Sequence, residues 1–255
     1  MISRIGGGAR REARGRGGTR GCARRGRRGT HDGKARRCAS RIRALGVACE
    51  MLKVRTDIAR RAQCRQRATQ AIERFGRIDA LVHCAFVHGT FPEAVDEADL
   101  AGCRAVFGTN VFGTMTRAPK FIPHMKRHKR GAIVTIDTQA ARKPFAGQSG
   151  YAVSKRVLAV AAKYLARALG VCGIRANGIH MSWMRDVPPQ THLRPAAAEY
   201  GVTQDETVVP IASNIALAKL PADDDCTRAA LFVASDDANA VTGATLHAND
   251  GDFMP

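Results

Sequence analysis

The sequence predicts an α/β fold, a doubly wound and mostly parallel sheet whose opening part is degraded or missing. Three observations predict it. From about residue 46 onward, short β-branched or apolar runs alternate with longer helical stretches, as in a parallel sheet with crossover helices. The chain has 255 residues, 45% of them hydrophobic, enough for one core of ordinary size. Residues 6–37, where such a fold opens, contain almost no apolar residues and show neither helical nor strand periodicity.

In chain order, the predicted strands are 47–54, 79–85, 131–137, 174–181 and 243–248, each an apolar or β-branched run of strand length. Helices are predicted at 60–75, 99–128, 150–169, 194–200 and 222–235. Residues 150–169 carry Tyr151, Val157, Leu158, Ala161, Leu165 and Leu169 at the spacing of a helix packed on a sheet. Two regions are expected: 1–40, an anomalous Arg/Gly-rich segment, and 41–255, the α/β domain.

Charge is uneven. Of the net +19, residues 1–45 hold 15 Lys and Arg against Glu12 and Asp32, a balance of +13, and the rest holds +6. Segment 6–37 has ten glycines, from Gly6 to Gly33. Three readings of it stand side by side. A basic nucleic-acid arm would lack interleaved aromatics for base stacking, so its attraction would be salt-sensitive and non-specific, and a nucleic-acid partner is disfavoured. A transit peptide would lack serine and an amphipathic face. In the third reading, GC-rich coding DNA is translated out of frame: codons exist for Ala9 to Thr30 whose one-base shift reads LGGKLAVAAAREGARDVVVAAR, a glycine turn, a helix and a strand.

No apolar run approaches the roughly 18 residues a membrane span needs. Eight cysteines (Cys22, Cys38, Cys49, Cys64, Cys84, Cys103, Cys172 and Cys226) form no Cys-x-x-Cys pair and no metal-ligand spacing. They read as buried or idle thiols, and with no secretory signal the expected compartment is a reducing cytoplasm.

The sharpest local signal is YAVSK at 151–155. Tyr151 and Lys155, four apart, share a helix face, so the ammonium can favour the ionised phenol. A free phenol, pKa about 10, is too weak a base for neutral pH, and a fixed cation brings it toward the working range. Thr138 lies 13 residues before Tyr151, at the end of GAIVTID, where a strand empties into a loop of the kind that binds ligands in open α/β sheets. Asn110 lies in GTNVFGT, in the preceding helix.

With these residues the chain resembles the short-chain dehydrogenase/reductase family. The resemblance covers residues 40–255 and includes RFGRIDALV, VFGTNVFGT, GAIVTI, YAVSK, GIRANGI and LFVASDDANAVTGATL in the family's order. It implies a Rossmann-like sheet whose first two strands are degraded or missing in this chain, and an NAD- or NADP-dependent oxidoreductase acting on a small alcohol or ketone. Its catalytic set would be Asn110, Thr138 in place of the usual Ser, Tyr151 as general acid/base, and Lys155, which lowers the phenol's pKa and holds the nicotinamide ribose. Asn110 would kink its helix and hold a water in a relay to Lys155. Gly6 and Gly8 would fall in the diphosphate turn, Asp57 would contact adenine, and Ala85 is what HCAF at 83–86 keeps of the family's Asn-Asn-Ala-Gly. The resemblance also implies a homodimer or homotetramer built from helices 99–128 and 150–169.

Departures concentrate at the cofactor end. Arg4 and Arg10 stand where the turn's first and third glycines belong, and a side chain there obstructs a diphosphate. Met181-Ser182 replaces the usual Pro-Gly, and 186–206 matches the variable substrate loop in position. Two alternatives to a working enzyme therefore remain: a degenerate, frameshifted or inactive member unable to bind dinucleotide, and a nucleic-acid binder acting through the arm.

Overall fold

The structure, a computed structural model, describes residues 40, 42, 44, 49–185 and 203–255. Gly6, Gly8, the Arg/Gly-rich segment and the helix expected at 194–200 lie outside the described residues.

Helix α1 (Arg61–Phe75) buries Cys64, Ala68, Ala71 and Phe75, a stripe at three- and four-residue spacing. It ends at Gly76, whose left-handed φ of 71° lets its N–H reach the Ile72 carbonyl. Strand β1 (Ala80–His83) follows. Asp99 caps α2 (Leu100–Phe107), its carboxylate accepting from the Ala101 and Gly102 N–H groups at 2.9 and 2.8 Å. A π-helical turn (Gly108–Gly113) joins α2 to α3 (Thr114–Arg127), so the helix expected over 99–128 is one run with a wide turn inside it. Next come β2 (Gly131–Thr138), α4 (Ser149–Leu169), β3 (Ile174–Met181), α5 (Gln204–Ala212), α6 (Asp223–Ala234) and β4 (Thr245–Ala248).

The described strands form one parallel sheet in the order β1-β2-β3-β4. Ile133, Leu81, Ile174 and Ala176 meet α1, α3 and α4 on one face, while Val134 and Ile179 meet Val233 of α6 on the other. Helices thus cover both faces, which the near-continuous apolar runs of β2 and β3 require.

One expectation is corrected. Residues 49–54 of the strand expected at 47–54 are not in strand conformation. A strand persists only where a neighbour takes its N–H and C=O groups, and β1 is an edge of the described sheet. Helix α5 begins within 186–206, the segment matched in position to the variable substrate loop, and runs past it to Ala212. Thr203 and Glu206 form a reciprocal capping box there, a signal present in the sequence.

Candidate active site

Parallel strands end together, so the C-terminal ends of β1, β2 and β3 open onto one crest. Thr138 is the last residue of β2, and Lys155 reaches the same strand from α4, its Nζ donating to the Ile136 carbonyl at 2.5 Å. One turn earlier on α4, the Tyr151 ring centroid lies 5.9 Å from Lys155 Nζ. Lys155 is 2% exposed, so its charge acts through little water. Thr138 Oγ1 accepts from the Ala140 N–H at 3.2 Å, capping a short 3-10 turn, and this leaves its hydroxyl proton to donate outward.

Asn110 sits in the π-helical turn, buried to 1%. Its Oδ1 accepts from the Val87 N–H at 2.9 Å, and its Nδ2 donates to the Val87 carbonyl and to Ser154 Oγ, both at 3.0 Å. Ser154 Oγ donates in turn to the Tyr151 carbonyl at 2.7 Å. Both amide hydrogens are thereby committed to the protein. The polar chain joins the loop after β1 to the helix that carries Tyr151 and Lys155.

That loop carries Ala85, exposed, and two rings over the pair. His88 stacks on Tyr151 with centroids 4.4 Å apart, and Phe86 lies 5.7 Å from Tyr151 and 4.9 Å from Lys155 Nζ, the cation over its ring. A small cavity beside Tyr151 is lined by His88, Cys103, Val106 and Gln148. Asp57 is exposed; its Oδ1 accepts from the Ala59 N–H at 3.0 Å and its Oδ2 pairs with Arg60 at 3.5 Å.

The chain's end closes the crest. The buried Asp252 carboxylate accepts from Gln139, Ser182 and Lys143, the last at 2.8 Å, tying the turns after β2 and β3 to the segment after β4. Burial alone would push its carboxyl up, but the hydrogen bonds from Lys143, Ser182 and Gln139 outweigh it and hold the carboxyl below its ordinary value. Beneath Thr138 lies Asp137, whose carboxyl burial pushes up to about 6 against the opposing Lys155 charge and Thr135 hydrogen bond. Its register partner on β3, His180, is pushed down to about 4 by burial and by the neighbouring His247, Arg142, Arg156 and Lys155.

The structure therefore brings Asn110, Thr138, Tyr151 and Lys155 to one crest with Ala85 in the adjoining loop. Sequence reasoning missed Asp137, Phe86, His88, Ser154 and Asp252. Asp137 carried a signal, a carboxylate inside an apolar strand run; the others became visible only through contacts across the chain. All six described cysteines are free thiols, Cys64 and Cys226 buried and Cys49 and Cys84 exposed. No helix among the described residues is long and apolar enough to cross a membrane.

The donor set fits the nicotinamide end of a dinucleotide. A buried ammonium and a phenol one turn apart suit a vicinal diol, and the outward Thr138 hydroxyl suits a carbonyl oxygen.

Residues 15–252 match the family model described as "Enoyl-(Acyl carrier protein) reductase". The chain is 29% identical over 212 residues to the short-chain reductase protein NovJ of Streptomyces niveus, covering 82% of this chain and 74% of that one. It is 26% identical over 221 residues to the 3-oxoacyl-[acyl-carrier-protein] reductase FabG of Staphylococcus aureus, covering 87% and 84%. Among solved structures it resembles YwfH, an NADPH dependent reductase involved in bacilysin biosynthesis, with TM-score 0.77 and 17% identity over 88% of this chain and 85% of that one. A gluconate 5-dehydrogenase from Burkholderia cenocepacia gives TM-score 0.75 and 23% identity over 88% and 83%. These structural likenesses bear on the fold.

Proposed function

The chain belongs to the short-chain dehydrogenase/reductase family, and on that premise we propose that it is an NAD(P)-dependent oxidoreductase interconverting a secondary alcohol and a ketone. The observation that carries this reading is the Lys155 ammonium, buried and 5.9 Å from the Tyr151 ring on the same helix. The relatives' names, both reductases, favour reduction of the ketone.

Lys155 and Tyr151 would hold the nicotinamide ribose hydroxyls, with Ala85 and the loop after β1 alongside and Asp57 toward the adenine; Gly6 and Gly8, which the family resemblance assigns to the diphosphate turn, lie outside the described residues. When bound, the nicotinamide supplies or accepts the hydride. Tyr151 gives its hydroxyl proton to the carbonyl oxygen in the reductive direction and recovers it in the oxidative one. Lys155 stabilises the phenolate left behind. Thr138 donates its hydroxyl hydrogen to the same substrate oxygen and so fixes the carbonyl against Tyr151. Asn110, through Val87 and Ser154, holds the pair's helix and the loop after β1 in register. The α/β domain spans 41–255, with 1–40 a separate segment. Leu100 and Phe112, 68% and 64% exposed, and Val153, Val157, Val160 and Tyr164 of α4 form the apolar faces of a homodimer or homotetramer.

The test is NADPH or NADH oxidation by the full chain with a panel of ketones. Tyr151→Phe is expected to lower kcat about 10²- to 10⁴-fold, the range of general acid/base catalysis. Undiminished turnover in that variant removes the assignment. A folded chain without measurable dinucleotide affinity establishes instead the degenerate family member.

A further inference from the structure

We propose that Asp137 is a positioning residue for the acid/base pair, its buried carboxylate drawing the Lys155 ammonium toward the end of β2 and so limiting how strongly that charge acts on the Tyr151 phenol. The inference rests on the Tyr151–Lys155 reading above and adds a third titrating group to it.

Asp137 is 3% exposed and immediately follows Ile136, whose carbonyl receives Lys155 Nζ at 2.5 Å. Its Oδ2 accepts from Thr135 Oγ1 at 2.8 Å, while Oδ1 has no hydrogen-bond partner among the described residues. A buried carboxylate oxygen left in this way attracts the nearest cation strongly. Space for the carboxylate comes from Gly178 on β3, where a Cβ would lie 2.9 Å from Oδ2.

Among the described residues, the groups facing this side of the sheet are Lys155 and Arg156 from α4, His180 on β3, His247 beside it on β4, and Arg142 beyond the turn after Thr138. Both histidines are held below their ordinary values, chiefly by burial, so they are neutral at pH 7. Among the described residues, Lys155 is the charged group that opposes the effect of burial on the Asp137 carboxyl. With that carboxyl near 6, Asp137 is ionised at neutral pH and competes with the phenolate for Lys155. As the pH falls through about 6 it takes up a proton and releases the ammonium toward Tyr151.

The test uses the full chain with Tyr164→Phe and Tyr200→Phe, carrying 3-fluorotyrosine at position 151, and follows its ¹⁹F chemical shift against pH. Asp137→Asn is expected to lower the phenol midpoint by about one pH unit, and Lys155→Met to raise it. In the Lys155→Met background, Asp137→Asn is expected to move it little. An unchanged midpoint in Asp137→Asn, with the Lys155→Met rise intact, overturns the role of Asp137 alone. No rise in Lys155→Met overturns the Tyr151–Lys155 reading and the proposal together. An equal Asp137→Asn shift in both backgrounds shows a direct field on the phenol and overturns positioning through Lys155. Asp137→Ser, with the same expected direction, decides the matter if the Asn variant does not fold.

Discussion

Asn110 holds both backbone polar groups of Val87, accepting from its N–H at 2.9 Å and donating to its carbonyl at 3.0 Å. A side-chain amide 23 residues away thus fixes the loop that carries Phe86 and His88 over Tyr151 and Lys155. The π-helical turn permits this: the wide turn at Gly108–Gly113 aims the amide at the loop, and such turns cluster at functional sites. Asn110→Ala removes three hydrogen bonds from a buried position and leaves Ser154 Oγ without that donor. The expected cost is about 1–3 kcal/mol, read as a lower urea midpoint at unchanged m-value.

Phe86 covers Lys155 where the family pattern has glycine. A cation over a ring is worth about 0.5–2 kcal/mol, and that interaction competes with any other use of the ammonium. Phe86→Gly is therefore expected to tighten NADPH or NADH binding by roughly 2- to 30-fold, measured by fluorescence enhancement of the cofactor. Unchanged or weaker binding would show that the ring is part of the cofactor's seat.

The Asp137 and His180 titrations oppose each other. The Asp137 carboxyl stands at about 6, above its ordinary 3.8, so the folded chain takes up that proton first and gains stability as the pH falls from 6 toward 4. The His180 imidazole stands at about 4, below its ordinary 6.5, so the unfolded chain takes up its proton first and the fold loses stability from 6.5 toward 4. Each displacement amounts to roughly 3 kcal/mol at most. Asp137→Asn should raise Tm at pH 7 and steepen its fall toward pH 4.5; His180→Gln should flatten or reverse that fall. Parallel Tm curves against pH in all three proteins would refute the opposition.

Asp252 joins the three loops at the crest. Asp252→Ala deprives Gln139, 2% exposed, and Lys143 of their common acceptor. The expected loss is about 2–4 kcal/mol in urea unfolding, because donors left buried keep their desolvation cost. The wild-type carboxyl is held below its ordinary value. Its contribution is therefore full above the unfolded carboxylate range and is lost as the pH falls through its own lower pKa.

Phe112, within the site's π-helical turn, is 64% exposed. Phe112→Glu places a charge that is costly to bury in the proposed subunit interface while leaving the protomer's core intact. Light scattering should report a smaller assembly, with near-unchanged circular dichroism.

The sequence by itself determined the order of elements, the parallel sheet and the crest residues Thr138, Tyr151 and Lys155. Those features are local: apolar runs of strand length, helical spacing, and a Tyr–Lys pair one turn apart on α4. The capping box at Thr203 was equally local, and it marks α5. Tertiary structure alone decided the rest. Residues 49–54 are not a strand, since a strand depends on a neighbour for its hydrogen bonds, whatever its own pattern. The amide of Asn110 is committed to Val87 and Ser154, Phe86 lies on Lys155, and Asp252 reaches back to Gln139, 113 residues away. Each of these depends on which chain ends the sheet brings together, and hydrophobic periodicity encodes burial without encoding which polar atoms meet.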